Sequence, residues 1–292
     1  MHPHSRSHPA MHPHPPLTLF PDNRSAWTWL PPAIALLLIA KLAVSTTNRS
    51  LFVLLNPFGH QFGDTLGLNL TLLGDGAVAL ALVLPSIRRS PRCFWAALIA
   101  AVLAGLWVQV FKQVVVMPRP LAVLPAELFF QSGPAFRALS FPSGHAAAIF
   151  AIAGIWVMSL PGRTLTRSAL LVLAVLVSLS RVMVGVHWPV DILWGMLGGW
   201  LAAWSGLALY ARFQWKTACA GGVLAALALA LVAATLLVSQ HVGIREVLPL
   251  QRLLGAVCLA WGACELLLML PRMSRVKGNL EGNLKGKLDG QN

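Results

Sequence analysis

The stretch that decides the fold is SLSRVMVGVHWPVDILWG, residues 178–195, which joins two long apolar runs. The runs cover residues 168–187 and 189–211, and a helix needs about 20 apolar residues to cross a bilayer. At their junction lie a cation, a histidine and a carboxylate. Such groups cost free energy at a membrane boundary, so their presence indicates a functional site. The sequence therefore predicts two consecutive membrane-spanning helices with a polar site where they meet.

The composition of the whole chain agrees with this prediction. Hydrophobic residues make up 57% of the 292 residues, charged residues only 11%, and the mean hydropathy is +0.71. One soluble core cannot bury that much apolar surface, so lipid must cover it. The formal net charge of +13 does not indicate nucleic-acid binding here, because most basic residues lie in short segments between apolar runs. We predict a membrane protein with no nucleic-acid partner.

Eight apolar runs predict an all-α, polytopic transmembrane helical bundle. They lie near residues 27–46, 69–87, 93–116, 143–160, 168–187, 189–211, 218–239 and 253–271, and the second is the most interrupted by polar residues and proline. With both termini in the cytoplasm, the cytoplasmic segments hold about twice as many Lys and Arg residues as the outer ones, as the positive-inside rule requires. This topology places Lys112, Ser143 and His187 on the outer side.

The two ends of the chain predict disordered cytoplasmic tails. Residues 1–26 contain five histidines and several prolines, and residues 272–292 contain a Gly-x-Leu-x repeat whose glycines oppose a helix. An interfacial helix is the alternative for the second segment, because the leucines recur every fourth residue.

Neither the cysteines nor the acidic residues indicate a metal site. The four cysteines show no CxxC pairing, and the nine acidic residues are scattered. We therefore expect no metal and no cofactor. Two acids inside predicted spans need separate interpretations. Asp75 either orients an active-site cation or caps a helix, and Glu265 is protonated, paired inside the bundle, or a sign that the eighth span is misplaced.

Three cations on the outer side predict an anion site. Lys112, Arg119 and Arg181 repel one another unless a negative group lies between them, although each alone could extend to the lipid headgroups. Ser143 and Gly144 open a predicted helix, whose free N–H groups suit a phosphate or need only a cap.

A histidine and an acid complete the predicted site. His187 and Asp191 are four residues apart at the start of a helix, so their side chains can meet. A carboxylate that holds one ring nitrogen leaves the other nitrogen free to attack. This arrangement favours a catalytic histidine over a structural one.

These residues resemble the three-part signature of the type-2 phosphatidic acid phosphatases. The matching blocks are Lys112 to Pro120, Pro142 to His145 and Ser180 to Asp191. The resemblance implies a six-helix catalytic core, residues 27–211, and leaves residues 212–271 as two additional transmembrane helices without an assigned role.

The resemblance also implies a role for each matching residue. His187 is the nucleophile that forms a phosphohistidine, Asp191 orients it, and His145 protonates the leaving oxygen. The phosphate-binding residues are Lys112, Arg119, Ser143, Gly144 and Arg181.

The expected function is hydrolysis of a lipid phosphate at the outer face of a bacterial inner membrane. Undecaprenyl diphosphate, phosphatidylglycerol phosphate, phosphatidic acid and lipid A phosphates all remain candidate substrates. A lipid phosphotransferase that uses the same intermediate and a transporter of lipid or phosphate are the alternatives. The sequence gives no indication of the oligomeric state.

Overall fold

The computed structural model describes residues 21–61, 63–132, 134–160, 162–239 and 244–289. Every regular element within these ranges is helical, which confirms the predicted fold class. In chain order, the helices are α1 (Ala26–Ser45), α2 (Asn48–Gln61), α3 (Asp64–Leu73), α4 (Gly76–Ala81), α5 (Ser86–Arg89), α6 (Pro91–Val114), α7 (Pro120–Val123), α8 (Gly144–Ser159), α9 (Thr164–Met183), α10 (Pro189–Phe213), α11 (Ala220–Val238) and α12 (Leu248–Asp289). Two short 3-10 turns, Ala126–Leu128 and Arg245–Val247, lie in the connections.

Six helical segments of the described chain are long and apolar enough to cross a membrane. They are α1, α6, α9, α10, α11 and the segment Arg245–Met269, which includes the first part of α12. These six segments match six of the eight predicted runs, and the protein is a multi-pass membrane protein. The predicted run 143–160 forms α8, an apolar helix of 16 residues. At 1.5 Å per residue α8 is about 24 Å long, shorter than a hydrocarbon core of about 30 Å.

The predicted second crossing, residues 69–87, is wrong as a continuous helix, because α3, α4 and α5 divide it. Asp75 caps α4 by accepting hydrogen bonds from Ala77 N at 2.9 Å and Val78 N at 3.3 Å. Pro85 then precedes α5. A side-chain cap starts a new helix and a proline interrupts an existing one, so the polar and proline positions determine the breaks. The capping role that the sequence allowed for Asp75 is confirmed.

The segment before α1 is ordered in the part that the structure describes. Thr28 Oγ1 donates to Asp22 O at 2.7 Å, and Trp204 Nε1 on α10 donates to Asn23 Oδ1 at 2.9 Å. The prediction of disorder is therefore wrong for residues 21–26, where these contacts tie the chain to two helices. Residues 1–20 lie outside the described residues.

The C-terminal segment continues α12 as far as Asp289. The prediction of disorder for residues 272–292 is therefore wrong up to that residue, and residues 290–292 lie outside the described ranges. Propagating an existing helix needs no new nucleus, so α12 extends through a repeat whose glycines would oppose helix formation in isolation.

Helix α10 lies at the centre of the bundle and packs against α1, α6 and α8. Its glycines allow close approach of the neighbouring backbones. A Cβ atom on Gly195 would overlap Ser143 O, one on Gly199 would overlap Ala147 O, and one on Gly206 would overlap Ala96 O. The backbones of α8 and α10 are therefore close enough for the residues at their N-terminal ends to form one site.

The two additional C-terminal helices, α11 and α12, form a hairpin. Both helices pack against α4, α12 also packs against α5, and the turn between them packs against α3. Glu265 on α12 is 1% exposed and accepts hydrogen bonds from Arg88 Nε and Arg89 Nε, each at 2.5 Å. Trp261 Nε1 lies 3.2 Å from the same carboxylate. Of the three interpretations of Glu265, the paired one is correct.

Replacing Glu265 by Ala should lower the melting temperature of the purified protein in detergent. The change removes the carboxylate that Arg88 and Arg89 share, at a cost of about 2 kcal/mol, less than for a fully buried pair because Arg89 is largely exposed. Differential scanning fluorimetry measures the shift. The matched control is Glu246→Ala, which removes an exposed acid that precedes α12. Equal melting temperatures for the two variants would show that the contacts of Glu265 with Arg88 and Arg89 do not stabilise the packing of α12.

Candidate active site

His187 and Asp191 form a buried pair at the start of α10. His187 Nδ1 lies 3.3 Å from Asp191 Oδ2, and the two residues are 2% and 0% exposed. The same Oδ2 atom accepts hydrogen bonds from Ser140 Oγ at 2.5 Å and from Trp188 N at 2.8 Å. Three contacts therefore fix one carboxylate oxygen, and that oxygen holds the imidazole.

The surroundings of His187 favour the neutral imidazole. Burial, and then the positive charges of Arg181 and Arg119, lower its pKa well below the ordinary value, with smaller contributions from His145 and Lys112. With the proton on Nδ1, facing Asp191, the lone pair lies on Nε2. These surroundings therefore favour an uncharged imidazole, with its lone pair on Nε2, among positively charged neighbours.

Ser143 joins the start of α8 to the start of α10. Its side chain caps α8, with Ala146 N donating to Ser143 Oγ at 3.4 Å. Its own backbone N–H donates to Asp191 O at 3.0 Å. Gly144 and His145 form the first turn of α8, so the free N–H groups of this helix end face the same region as the histidine and acid pair.

Arg119 is held by the loop that follows α6. Its Nε donates to Ala138 O at 3.0 Å, and its Nη1 donates to Val186 O at 3.1 Å, beside His187. Phe136 stacks against the guanidinium at 5.0 Å from the ring centroid. The residue is 7% exposed, and burial lowers its pKa. A guanidinium has five N–H donors, so these two bonds orient its plane and leave donors for an anion.

Arg181 comes from the last turn of α9 and is also 7% exposed. Its Nη1 donates to Thr71 Oγ1 at 3.2 Å, and that hydroxyl lies 2.9 Å from Ser180 Oγ. Its buried Nε has no hydrogen-bond partner among the described residues. Lys112 in the last turn of α6 is half-buried and brings the third cation to the site.

A cavity of about 200 Å³ lies beside these residues. Thr71, Asp75, His145 and Arg181 form its polar side. The electrostatic interaction between Asp75 and Arg181 also agrees with the other interpretation of Asp75, that it orients an active-site cation. The cavity therefore brings together one acid, one histidine and one cation, next to the His187 and Asp191 pair.

Two site-shaping residues could not be identified from the sequence. Ser140 holds Asp191, but its position three residues before Ser143 gives no signal of that contact. Asn56 on α2 is fully buried and donates to Phe130 O at 2.8 Å and to Val182 O and Met183 O at 3.0 Å, while Phe130 N donates to Asn56 Oδ1 at 2.7 Å. The only sign of Asn56 in the sequence is a single asparagine in an apolar stretch, which does not identify its partners.

Known proteins are similar to the part of the chain that contains this site. Residues 93–218 match the model of the PAP2 superfamily, and this range includes all eight predicted site residues. An undecaprenyl-diphosphatase of Sulfolobus acidocaldarius is 30% identical over 157 residues, which cover 53% of this chain and 68% of that protein. The chain belongs to the PAP2 superfamily.

A further protein and two solved structures are similar to parts of this chain. YbjG of Escherichia coli strain K12, provisionally named an undecaprenyl-diphosphatase, is 40% identical over 89 residues, which cover 27% of this chain and 44% of that protein. The crystal structure of Aquifex aeolicus LpxE gives a TM-score of 0.48 at 29% identity and covers 55% of this chain and 94% of that one. A PAP2-type phosphatidylglycerolphosphate phosphatase from Bacillus subtilis gives 0.45 at 22% identity and covers 65% and 98% of the two chains.

Replacing Asn56 by Leu should loosen the loop at Phe130 in this PAP2 protein. The substitution removes the amide that bonds the carbonyl and the N–H of Phe130 and the carbonyls of Val182 and Met183, at a cost of about 2 kcal/mol. Hydrogen exchange at the Phe130 amide should become faster. The control is Asn69→Leu, whose side chain bonds only to Thr65 O of its own helix. Unchanged exchange at Phe130 would show that Asn56 does not hold the loop.

Proposed function

We propose that this protein is a membrane lipid phosphatase that hydrolyses a phosphomonoester or diphosphate of a lipid through a phosphohistidine intermediate. The observation that carries this proposal is the buried His187, which lies with Nδ1 3.3 Å from Asp191 Oδ2 and has Arg119, Arg181 and Lys112 close enough to lower its pKa. A general base or structural role would not need three positive groups around the imidazole. An attack on a phosphate, whose oxygens are negative, does need them.

In the proposed first step, the lone pair of His187 Nε2 attacks phosphorus and the bond from phosphorus to the leaving oxygen breaks. His145 gives a proton to that oxygen. In the second step, His145 takes a proton from water, the water oxygen bonds to phosphorus, and the bond between phosphorus and Nε2 breaks. The products are inorganic phosphate and a dephosphorylated or monophosphorylated lipid, and His187 returns to its neutral state.

The proposed binding residues neutralise the phosphate in both steps. Arg119 has a fixed guanidinium plane, and Arg181 has a buried Nε without a partner among the described residues. Lys112 adds a charge, and the hydroxyl group of Ser143 and the N–H group of Gly144 suit the phosphate oxygens. With these groups we propose that catalysis requires no metal.

An apolar cavity supports a lipid as the substrate. About 220 Å³ of space lies between α4, α6 and α8, lined almost entirely by small and apolar side chains such as Ala79, Ala104 and Ile152. The same cavity reaches Gly144, at the phosphate-binding end of α8. A hydrocarbon chain can therefore lie along the bundle while its phosphate reaches the cations.

Undecaprenyl diphosphate is the first substrate to test, because two relatives carry names for its hydrolysis. Phosphatidylglycerol phosphate, phosphatidic acid and lipid A phosphates complete the panel. We further propose that residues 27–211 form the catalytic core, that residues 212–271 are the two additional helices, and that the protein lies in a bacterial inner membrane with its active site facing the periplasm. The excess of Lys and Arg in the opposite segments supports that orientation.

Purified protein in detergent with EDTA should release inorganic phosphate from at least one lipid of the panel, and His187→Ala should abolish the release. Rapid quenching with ³²P-labelled lipid should trap an acid-labile label on the wild-type protein and none on the variant. The control is His60→Ala, which changes a half-exposed histidine that faces Asp64. A requirement for added magnesium would contradict the mechanism. Label on a second lipid would indicate a transferase, and absence of release from every lipid would favour a transporter.

Replacing Ser140 by Ala should lower kcat about tenfold with little change in KM. The loss of one donor to Asp191 Oδ2 weakens the hold on the imidazole, and about 1.4 kcal/mol of lost transition-state stabilisation corresponds to tenfold. Ser140→Thr should retain most of the activity because it keeps the hydroxyl. Ser178→Ala is the control, since that buried serine bonds only to Ala174 O of its own helix. An unchanged kcat in Ser140→Ala would exclude the positioning role.

A further inference from the structure

The additional C-terminal hairpin reaches the catalytic cavity. Ile244, at the connection between α11 and α12, lines the cavity of about 200 Å³ that also contains His145 and Arg181. Ile244 is 7% exposed and lies outside residues 93–218, the range that matches the PAP2 model. An element beyond the matched range therefore supplies part of the wall of the site.

The wall that contains Ile244 is apolar and well supported. Ile244 belongs to a buried cluster with Leu68, Val184 and Val186, and all four residues line the cavity. The same cavity is also lined by the polar residues Thr71, Asp75, Ser132, His145 and Arg181. A wall of branched and β-branched side chains is stiff, so it does not easily make room for a larger ligand.

The position of the hairpin is fixed at both ends. Near Ile244, Gln251 Nε2 donates to Leu236 O and to Ser239 O, each at 2.8 Å, which holds the start of α12 against the end of α11. Further along α12, the Glu265 carboxylate binds Arg88 and Arg89. The side chain of Ile244 is thus held against the cavity by the whole hairpin.

We propose that Ile244 is a specificity-determining residue that restricts the enzyme to phosphates on slender leaving groups, such as a primary carbon or a second phosphate, and disfavours a sugar ring bonded directly to the phosphate oxygen. This inference rests on the proposed function, in which His145 protonates the leaving oxygen. The group attached to that oxygen must then lie next to His145, in the cavity that Ile244 also lines.

The size of the cavity agrees with this restriction. Pockets that enclose a whole drug-sized ligand measure roughly 300–1,000 Å³, so about 200 Å³ accommodates a headgroup and not an entire lipid. The atoms next to the phosphorus are therefore the part of the substrate that this cavity selects. A pyranose ring adds bulk at that position, whereas a primary carbon or a phosphate does not.

The test compares kcat/KM for the best slender substrate of the lipid panel with kcat/KM for a disaccharide lipid phosphate of the lipid A type. Ile244→Ala should raise the relative activity on the glycolipid about tenfold, because the smaller side chain enlarges the cavity. Ile244→Phe should lower it. Val247→Ala is the matched control, since Val247 is fully buried in the same cluster but does not line the cavity.

The ratio of the two kcat/KM values in each variant decides for or against the role of Ile244. An Ile244→Ala ratio that shifts while the Val247→Ala ratio stays within about twofold of wild type supports the proposal. Equal ratios for wild type and Ile244→Ala, equal shifts in both variants, or a wild type that prefers the glycolipid overturns it. If Ile244→Ala cannot be purified, Ile244→Val should give a smaller shift in the same direction. A wild-type protein that hydrolyses no lipid overturns the proposed function and this inference together, whereas an active wild type with an unchanged ratio overturns the inference alone.

Discussion

The site depends on the close approach of the N-terminal ends of α8 and α10. Ser143 N donates to Asp191 O at 3.0 Å, and Gly195, without a side chain, lets the α10 backbone approach Ser143. A larger residue at Gly195 would separate the helices and move Ser143 away from the His187 pair. Two parts of the sequence that lie more than 40 residues apart become one site through this backbone contact, and the loop with Ser140 and Arg119 closes over it.

Positive charge exceeds negative charge at this junction. Three cations and two histidines are brought together with Asp191 and Asp75 as the nearby acids. Burying like charges costs free energy that folding alone does not return, so an anion is the natural complement. Burial, together with the same positive charges, lowers the pKa of His187. The arrangement that we propose attracts a phosphate therefore also favours the neutral imidazole that we propose as the nucleophile.

The sequence predicted the parts of the structure that depend on local spacing. Apolar length predicted the spanning helices, the i, i+4 spacing predicted the contact between His187 and Asp191, and the serine before Gly144 predicted a helix cap. It did not predict the breaks between residues 69 and 87, where a cap at Asp75 and a proline outweigh hydropathy. Nor did it predict Ser140 or Asn56, because their partners are distant in sequence and a single chain gives no sign of which polar groups will meet.

The groups that we propose touch phosphorus and part of the cavity wall lie in different regions of the chain. Residues 93–218, the range matching the PAP2 superfamily, contain every group proposed to touch phosphorus. Thr71 and Asp75 before that range and Ile244 after it contribute part of the cavity wall, together with residues inside the range such as Val184 and Val186. Catalytic groups must keep a fixed geometry relative to one phosphate, whereas the walls need only fit what the phosphate is attached to. In the proposed function, wall residues outside the matched range, such as Ile244, are therefore positions at which substrate preference can change without altering the reaction.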